Sequence, residues 1–203
     1  MGVRGLEPGR RPALLISEIQ NGIANGAYTQ SPLVEQVAER GIVPRINALA
    51  DGFRIAGHPV IHCIVTMRPQ GLGWNRNCVL AARIEKGGYL MKGTPSAAIH
   101  EDVRVGAGDI VSERHHGMTA FTGTDLDATL RGLDVDTVVF AGVSTNVALM
   151  GGSCEAVGNG YHVVIAEDCT AGGTAETHRI QVTMHLPLVA TMSDSASVLG
   201  SIA

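Results

Sequence analysis

The chain has 203 residues, enough for one sizeable α/β domain and too few for two comfortable ones. Hydrophobic residues make up 45% and charged residues 17%, a balance that buries a core and excludes a disordered chain. The net charge is −4 with Lys and Arg dispersed, so neither nucleic acid nor an anionic membrane surface is expected as a partner. In chain order, residues 1–11 carry arginines but no apolar run, and are expected to be a flexible start with neither signal peptide nor membrane span. Ala13–Ser17 reads as a buried strand bounded by Pro12 and Asn21-Gly22. Ser31-Pro32 followed by Leu33, Val34, Val37 and Ala38 predicts a capped helix with proline in its first turn. Gly41 and Pro44 divide that segment from Ile46, Leu49 and Phe53.

Val60–Val65 predicts a second buried strand. Residues 74–93 are Gly-rich, lack clear periodicity and are expected to be a loop over a site. Asp109–Ser112 predicts a third strand, residues 125–132 a helix behind Thr124, and Thr137–Ala141 a fourth strand. Residues 146–159 predict a helix closed by Gly158 and Gly160, and residues 163–166 a fifth strand. Residues 176–185 predict a helix ending before Pro187, and residues 188–192 a sixth strand. This alternation predicts a three-layer αβα fold of one domain, with a six-stranded, mostly parallel sheet covered on both faces.

Chemistry-bearing residues gather at strand ends, where α/β sites form. Glu18 follows the first strand and is a candidate general acid or base. The run Glu113-Arg114-His115-His116 follows the third strand. It reads either as a polar loop or as the source of a proton-moving His115 or a cationic Arg114. The fourth strand ends in Gly-Val-Ser-Thr-Asn, a strand, tight turn and helix start of the kind that presents a nucleophile or holds an anion. The four cysteines show no CxxC or framework spacing, which suits a reducing cytoplasm, and each is expected to be buried or incidental. Scattered histidines give no metal constellation, and neither GxGxxG nor a Gly-Lys-Ser/Thr loop follows the first strand, so no metal or cofactor is expected.

Four blocks in order extend these observations: Ala13–Gly22, Thr119–Asp127, Val138–Val147 and Gly160–Ala171. Together they resemble the isochorismatase-like cysteine hydrolases over about residues 12–194. The resemblance implies an Asp-Lys-Cys triad at positions that here hold Glu18, His115 and Ala148. His115 takes the Lys position because it lies four residues before Thr119, although Arg114 is an alternative source of the positive charge. Gln20, Arg114, Phe121, Ser144, Thr145 and Asn146 are the substrate-binding candidates. The amides of Ser144 and Ala148 correspond to an oxyanion hole, often preceded in relatives by a cis peptide after the valine. Where nicotinamidase-like relatives place Asp-x-His for a metal, this chain reads Thr66-Met67-Arg68. Without sulfur at 148 no acyl-enzyme forms there. The implied activity is hydrolysis of an unidentified small molecule with Glu18 as acid/base. The alternative is an inactive member that binds a small molecule or a partner subunit. Relatives often pair, and Trp74, Val79, Leu80, Ile84, Tyr89, Leu90 and Met91 would leave an apolar patch unless folded as a lid, so a homodimer or higher homo-oligomer is expected.

Overall fold

A computed structural model describes residues 2–203. Six strands form one sheet in the order β3-β2-β1-β4-β5-β6: β1 Pro12–Ser17, β2 Val60–Val65, β3 Ile110–Arg114, β4 Thr137–Val143, β5 His162–Ala171 and β6 Thr191–Ser193. Every pairing is parallel. The chain winds outward from β1 to β3, then returns to lay β4 on the other side of β1. The crevice at the carboxyl ends of β1 and β4 is therefore the topological switch point, where open α/β sheets place ligands.

The apolar strands divide their side chains between two layers. Leu14 and Ile16 of β1 join Val139 and Ala141 of β4 on one face. Ala13 and Leu15 join Val138 and Phe140 on the other. Helices α2 (Pro32–Arg40), α3 (Ile42–Ile55) and α8 (Ser195–Ile202) cover the first face with Val37, Ile42, Ile46, Leu49, Phe53 and Val198. Helices α5 (Leu126–Gly132) and α6 (Met150–Gly158) cover the second with Leu126, Leu130 and Ala156. Ser31 Oγ accepts the Val34 amide at 3.3 Å to start α2, and Gly41 in the left-handed region (φ 58°) separates α2 from α3.

Several expectations need correction. Val3 and Leu6 are buried in the first core layer, and the Thr137 hydroxyl donates to the Gly5 carbonyl at 2.8 Å, so the described residues 2–11 of the expected flexible start are tied to the core. Residues 74–93 contain a helix, α4 (Val79–Gly87), started by Cys78 Sγ accepting from the Ala81 amide at 3.4 Å. Only Ala81 and Ile84 of α4 are buried, too few to mark a periodic stripe in the sequence. Trp74, Ile84 and Leu90 pack with Val65 and Met67 as a third, smaller cluster. Most of the apolar patch behind the expectation of self-association is thus folded inward, leaving Val79 and Leu80 exposed.

The sixth strand is shorter than predicted. Beyond α7 (Ala175–Ile180) the helix widens into a π-turn, Gln181–His185, and a short 3₁₀ turn through Pro187, which uses up the residues before Thr191. The final helix α8, absent from the sequence reading, is capped by Asp194, whose carboxylate accepts the Ser197 amide at 2.7 Å. Among the described residues, no helix is long and apolar enough to cross a membrane.

Candidate active site

Close approach of β1 and β4 creates the site. Gly142 has φ 101°, and a Cβ there would lie 2.2 Å from the Ser17 carbonyl oxygen. Only glycine lets the end of β4 lie against the end of β1, where the β4–β5 register also shifts. Glu18 leaves β1 with a left-handed backbone (φ 54°), unfavourable for a side chain with a Cβ by about 1–2 kcal/mol. Its amide donates to the Cys63 carbonyl at 2.9 Å, and its carbonyl accepts the Gln20 amide at 2.9 Å. The Gln20 side chain donates to the Val65 and Ala97 carbonyls at 2.9 and 2.7 Å and accepts the Val65 amide at 2.8 Å. Gln20 is fully buried and does not border the cavity: it clamps the loop that aims Glu18.

Glu18 borders a cavity of about 620 Å³. Its carboxylate accepts a hydrogen bond from Nη2 of Arg114, which reaches across from the end of β3. The Arg114 side chain is only 4% exposed; Nε donates to the Gly117 carbonyl at 3.3 Å and Nη1 has no protein partner. An unpartnered guanidinium nitrogen in a buried setting is costly unless a ligand or water meets it. Nη1 is also sealed from solvent, so the ion pair with Glu18 is the contact by which Arg114 shapes the cavity floor.

His115 is not part of this floor. Its Nδ1 lies 3.2 Å from both the Thr66 hydroxyl and the Thr66 carbonyl oxygen, and Nε2 lies 4.0 Å from Glu113. Glu113 is in turn held by Lys92 at 2.5 Å. This polar group sits beside the sheet edge, outside the cavity lining. Arg114 is five residues before Thr119, so the turn through Gly117 is one residue longer than the spacing that pointed to His115. A slip of one residue at a strand end sends the side chain to the opposite side.

The turn after β4 supplies the facing wall. Ser144, Asn146 and Val147 line the cavity, and the Val143–Ser144 peptide is cis. Ala148 lies in the π-turn Thr145–Leu149, buried in the second core layer and outside the lining. Thr145 is fully buried, with Oγ1 3.3 Å from His178 Nδ1. His178 Nε2 lies 2.9 Å from a Glu167 oxygen that also accepts from Arg40 at 2.7 Å. Asn146 Oδ1 accepts the Gly173 amide at 2.8 Å. Thr145 therefore braces the turn from behind instead of touching a ligand. Phe121 likewise packs on Tyr161 and the second core layer, away from the cavity.

The brace of Arg40, Glu167 and His178 was invisible in sequence, because its members come from α2, β5 and α7. So was the wall carrying Arg83, Ile84, Tyr89 and Leu90. That wall comes close because Gly22 has no side chain: a Cβ there would lie 2.8 Å from the carbonyl oxygens of Tyr89 and Ser96. No cysteine replaces residue 148. Burial pushes the Cys63 and Cys169 thiols up to about 12, and none of the four cysteines borders the cavity. Among the described residues, no three His, Cys, Asp or Glu side chains cluster as a metal site requires.

The chain belongs to the isochorismatase family of hydrolases: the isochorismatase domain model matches residues 12–197. It is 28% identical over 201 residues to YecD of Escherichia coli O157:H7, described as an uncharacterized isochorismatase family protein, covering 94% of this chain and 95% of the relative. It is 29% identical over 171 residues to maleamate amidohydrolase of Pseudomonas putida, covering 84% of this chain and 76% of that protein. The fold matches the crystal structure of a cysteine hydrolase from Pseudomonas syringae pv. phaseolicola 1448A. The TM-score is 0.84 at 23% identity, covering 100% of this chain and 97% of the other.

Proposed function

We propose that this chain hydrolyses a small anionic molecule by direct attack of water, without a covalent enzyme intermediate. The observation that carries the reading is the Glu18–Arg114 pair on the cavity floor, beside a turn whose residue 148 is alanine. Glu18 is the general acid/base: its carboxylate takes a proton from the attacking water and returns it to the leaving group. Arg114 holds the Glu18 carboxylate in place, and the backbone of the turn at Ser144 and Asn146, which border the cavity, receives the negative charge that develops. Maleamate and ureidoacrylate, the compounds in the names of related amidohydrolases, are small carboxylates with a hydrolysable C–N bond and are the first substrates to try.

A second reading, a protein that binds such a molecule without turning it over, is favoured by the methyl group at 148 and the buried thiols. A hydrolysis screen over carboxylate-bearing amides, ureides and vinyl ethers separates the two, run with and without N-ethylmaleimide. Hydrolysis of at least one compound, unaffected by the thiol reagent, is expected. Binding of a compound with no hydrolysis across the screen would establish the second reading. Inactivation traced to a cysteine would overturn the non-covalent route.

A further inference from the structure

The turn that walls the cavity is held from behind by the chain that runs from β5 into α7. Ser144 and Asn146 line the cavity, whereas Thr145 between them is fully buried and outside the lining. Whatever holds Thr145 therefore sets the backbone on both sides of it. Among the described residues its hydroxyl has one hydrogen-bond partner, Nδ1 of the buried His178 at 3.3 Å. The two come together because residue 172 is glycine: a Cβ there would lie 2.7 Å from Thr145 Oγ1 and 2.9 Å from His178 Cα. The adjoining Gly173 amide donates to Asn146 Oδ1 at 2.8 Å, so the same segment also ties down a lining residue.

The Glu167 oxygen 2.9 Å from His178 Nε2 also accepts from Arg40 Nη2 at 2.7 Å, so Glu167 is a carboxylate and can only accept. Nε2 therefore carries the imidazole proton, and Nδ1 is left to accept the Thr145 O–H. We propose that His178 is a positioning residue for the cavity: its neutral Nε2–H tautomer holds Thr145 through Nδ1, and through Thr145 the backbone of Ser144 and Asn146. This rests on the reading that the turn receives the charge developed in hydrolysis, and it names what keeps the turn in place. A protonated imidazole presents N–H at both nitrogens, which leaves the Thr145 O–H without its acceptor in a fully buried position. The charged groups facing the imidazole are Glu167 from β5 and Arg40 from α2, and the turn presents only the neutral Thr145. Burial lowers the proton affinity of His178, the Glu167 hydrogen bond raises it and the Arg40 charge lowers it again, with the net direction down. The hold thus persists at neutral pH and fails only in acid.

NMR of the isotope-labelled full chain tests the proposal. At neutral pH the His178 ring should carry its proton on Nε2 and none on Nδ1. As the ring titrates, the amides of Asn146 and Val147 should shift with the same midpoint. In Thr145→Val, which removes the O–H at nearly constant shape, the ring should still titrate while those amides no longer follow it. Thr145→Ser, which returns the hydroxyl, should restore the coupling. With the compound that the hydrolysis screen yields, Thr145→Val should lower kcat about tenfold and leave KM within about twofold, and Thr145→Ser should recover most of the loss. A proton on Nδ1, turn amides that stay flat through the ring titration, or amides that follow it unchanged in Thr145→Val would each overturn the proposal. The native titration decides by itself if Thr145→Val does not fold. The NMR needs no substrate, so the two readings fail separately. A coupled titration in a protein that hydrolyses nothing keeps the hold on the turn and loses the hydrolase. Hydrolysis with flat turn amides does the reverse.

Discussion

The two sides of the cavity are built on different physics. The floor is made of strand ends: Ser17, Gly142 and Val143 belong to strands buried along their whole length, and Glu18 and Arg114 are held by the sheet. The α4 wall rests on a satellite cluster of few buried side chains, and α4 itself exposes Val79, Leu80, Arg83 and Lys86. Chemistry needs fixed geometry and belongs on the rigid side, whereas admission of a ligand suits an element of lower local stability. The proposed reaction centre and the α4 wall thus rest on separate packing units.

The sharpest way to break that comparison is to unpair the floor. Arg114→Met leaves the Glu18 carboxylate without its cation in a largely buried position and should destabilise the protein by about 3–5 kcal/mol in urea unfolding. A loss below about 1 kcal/mol would mean that the pair is solvated and the floor is not rigid. Gly142→Ala follows at about 3 kcal/mol or more, since the added carbon meets the Ser17 carbonyl at 2.2 Å and the backbone must hold φ 101°. On the wall, Leu90→Ala should cost about 2–3 kcal/mol and speed amide exchange in α4 more than in β1 or β4. Uniform exchange in both regions would show that wall and floor open as one unit.

Acid gives a milder probe. Burial lowers the proton affinity of His58, His62, His100 and His178, so the unfolded chain takes up protons first as pH falls below the ordinary histidine value of about 6.5. Stability should therefore decline between about pH 6.5 and 5, and thermal scans should show the decline reduced in His178→Gln. Burial raises the Asp109 acid, but Arg54 and His62 outweigh it and hold it at about 2. A further loss is expected only as pH falls from about 4 towards 2. A melting temperature that is flat from pH 7 to 5 would contradict the histidine assignment.

Much of the floor was legible in the chain because strand ends announce themselves: four apolar residues before Ser17-Glu18, and Val-Val-Phe-Ala before Gly142. The position of the cation was not, because the sequence alone does not show how many residues β3 keeps before its turn. Arg114 pairs in register with Val65 as the last residue of the strand, which leaves His115 beside Thr66. The wall was illegible for a different reason. A helix that buries only Ala81 and Ile84 against a small cluster leaves no stripe, and Gly87, Gly88 and Gly93 made the segment read as loop. The terminal helix, Ser-Ala-Ser-Val-Leu-Gly-Ser-Ile, hid behind poor intrinsic propensity and is stabilised by its Asp194 cap and Val198.

The role of Glu18 is tested most directly by comparing turnover and ligand affinity in the native protein and Glu18→Gln, using whichever compound the hydrolysis screen yields. A fall in kcat of about 100-fold or more, with Kd little changed from the native protein, is the expected result for a general acid/base. Turnover by Glu18→Gln within a few-fold of the native rate would contradict it.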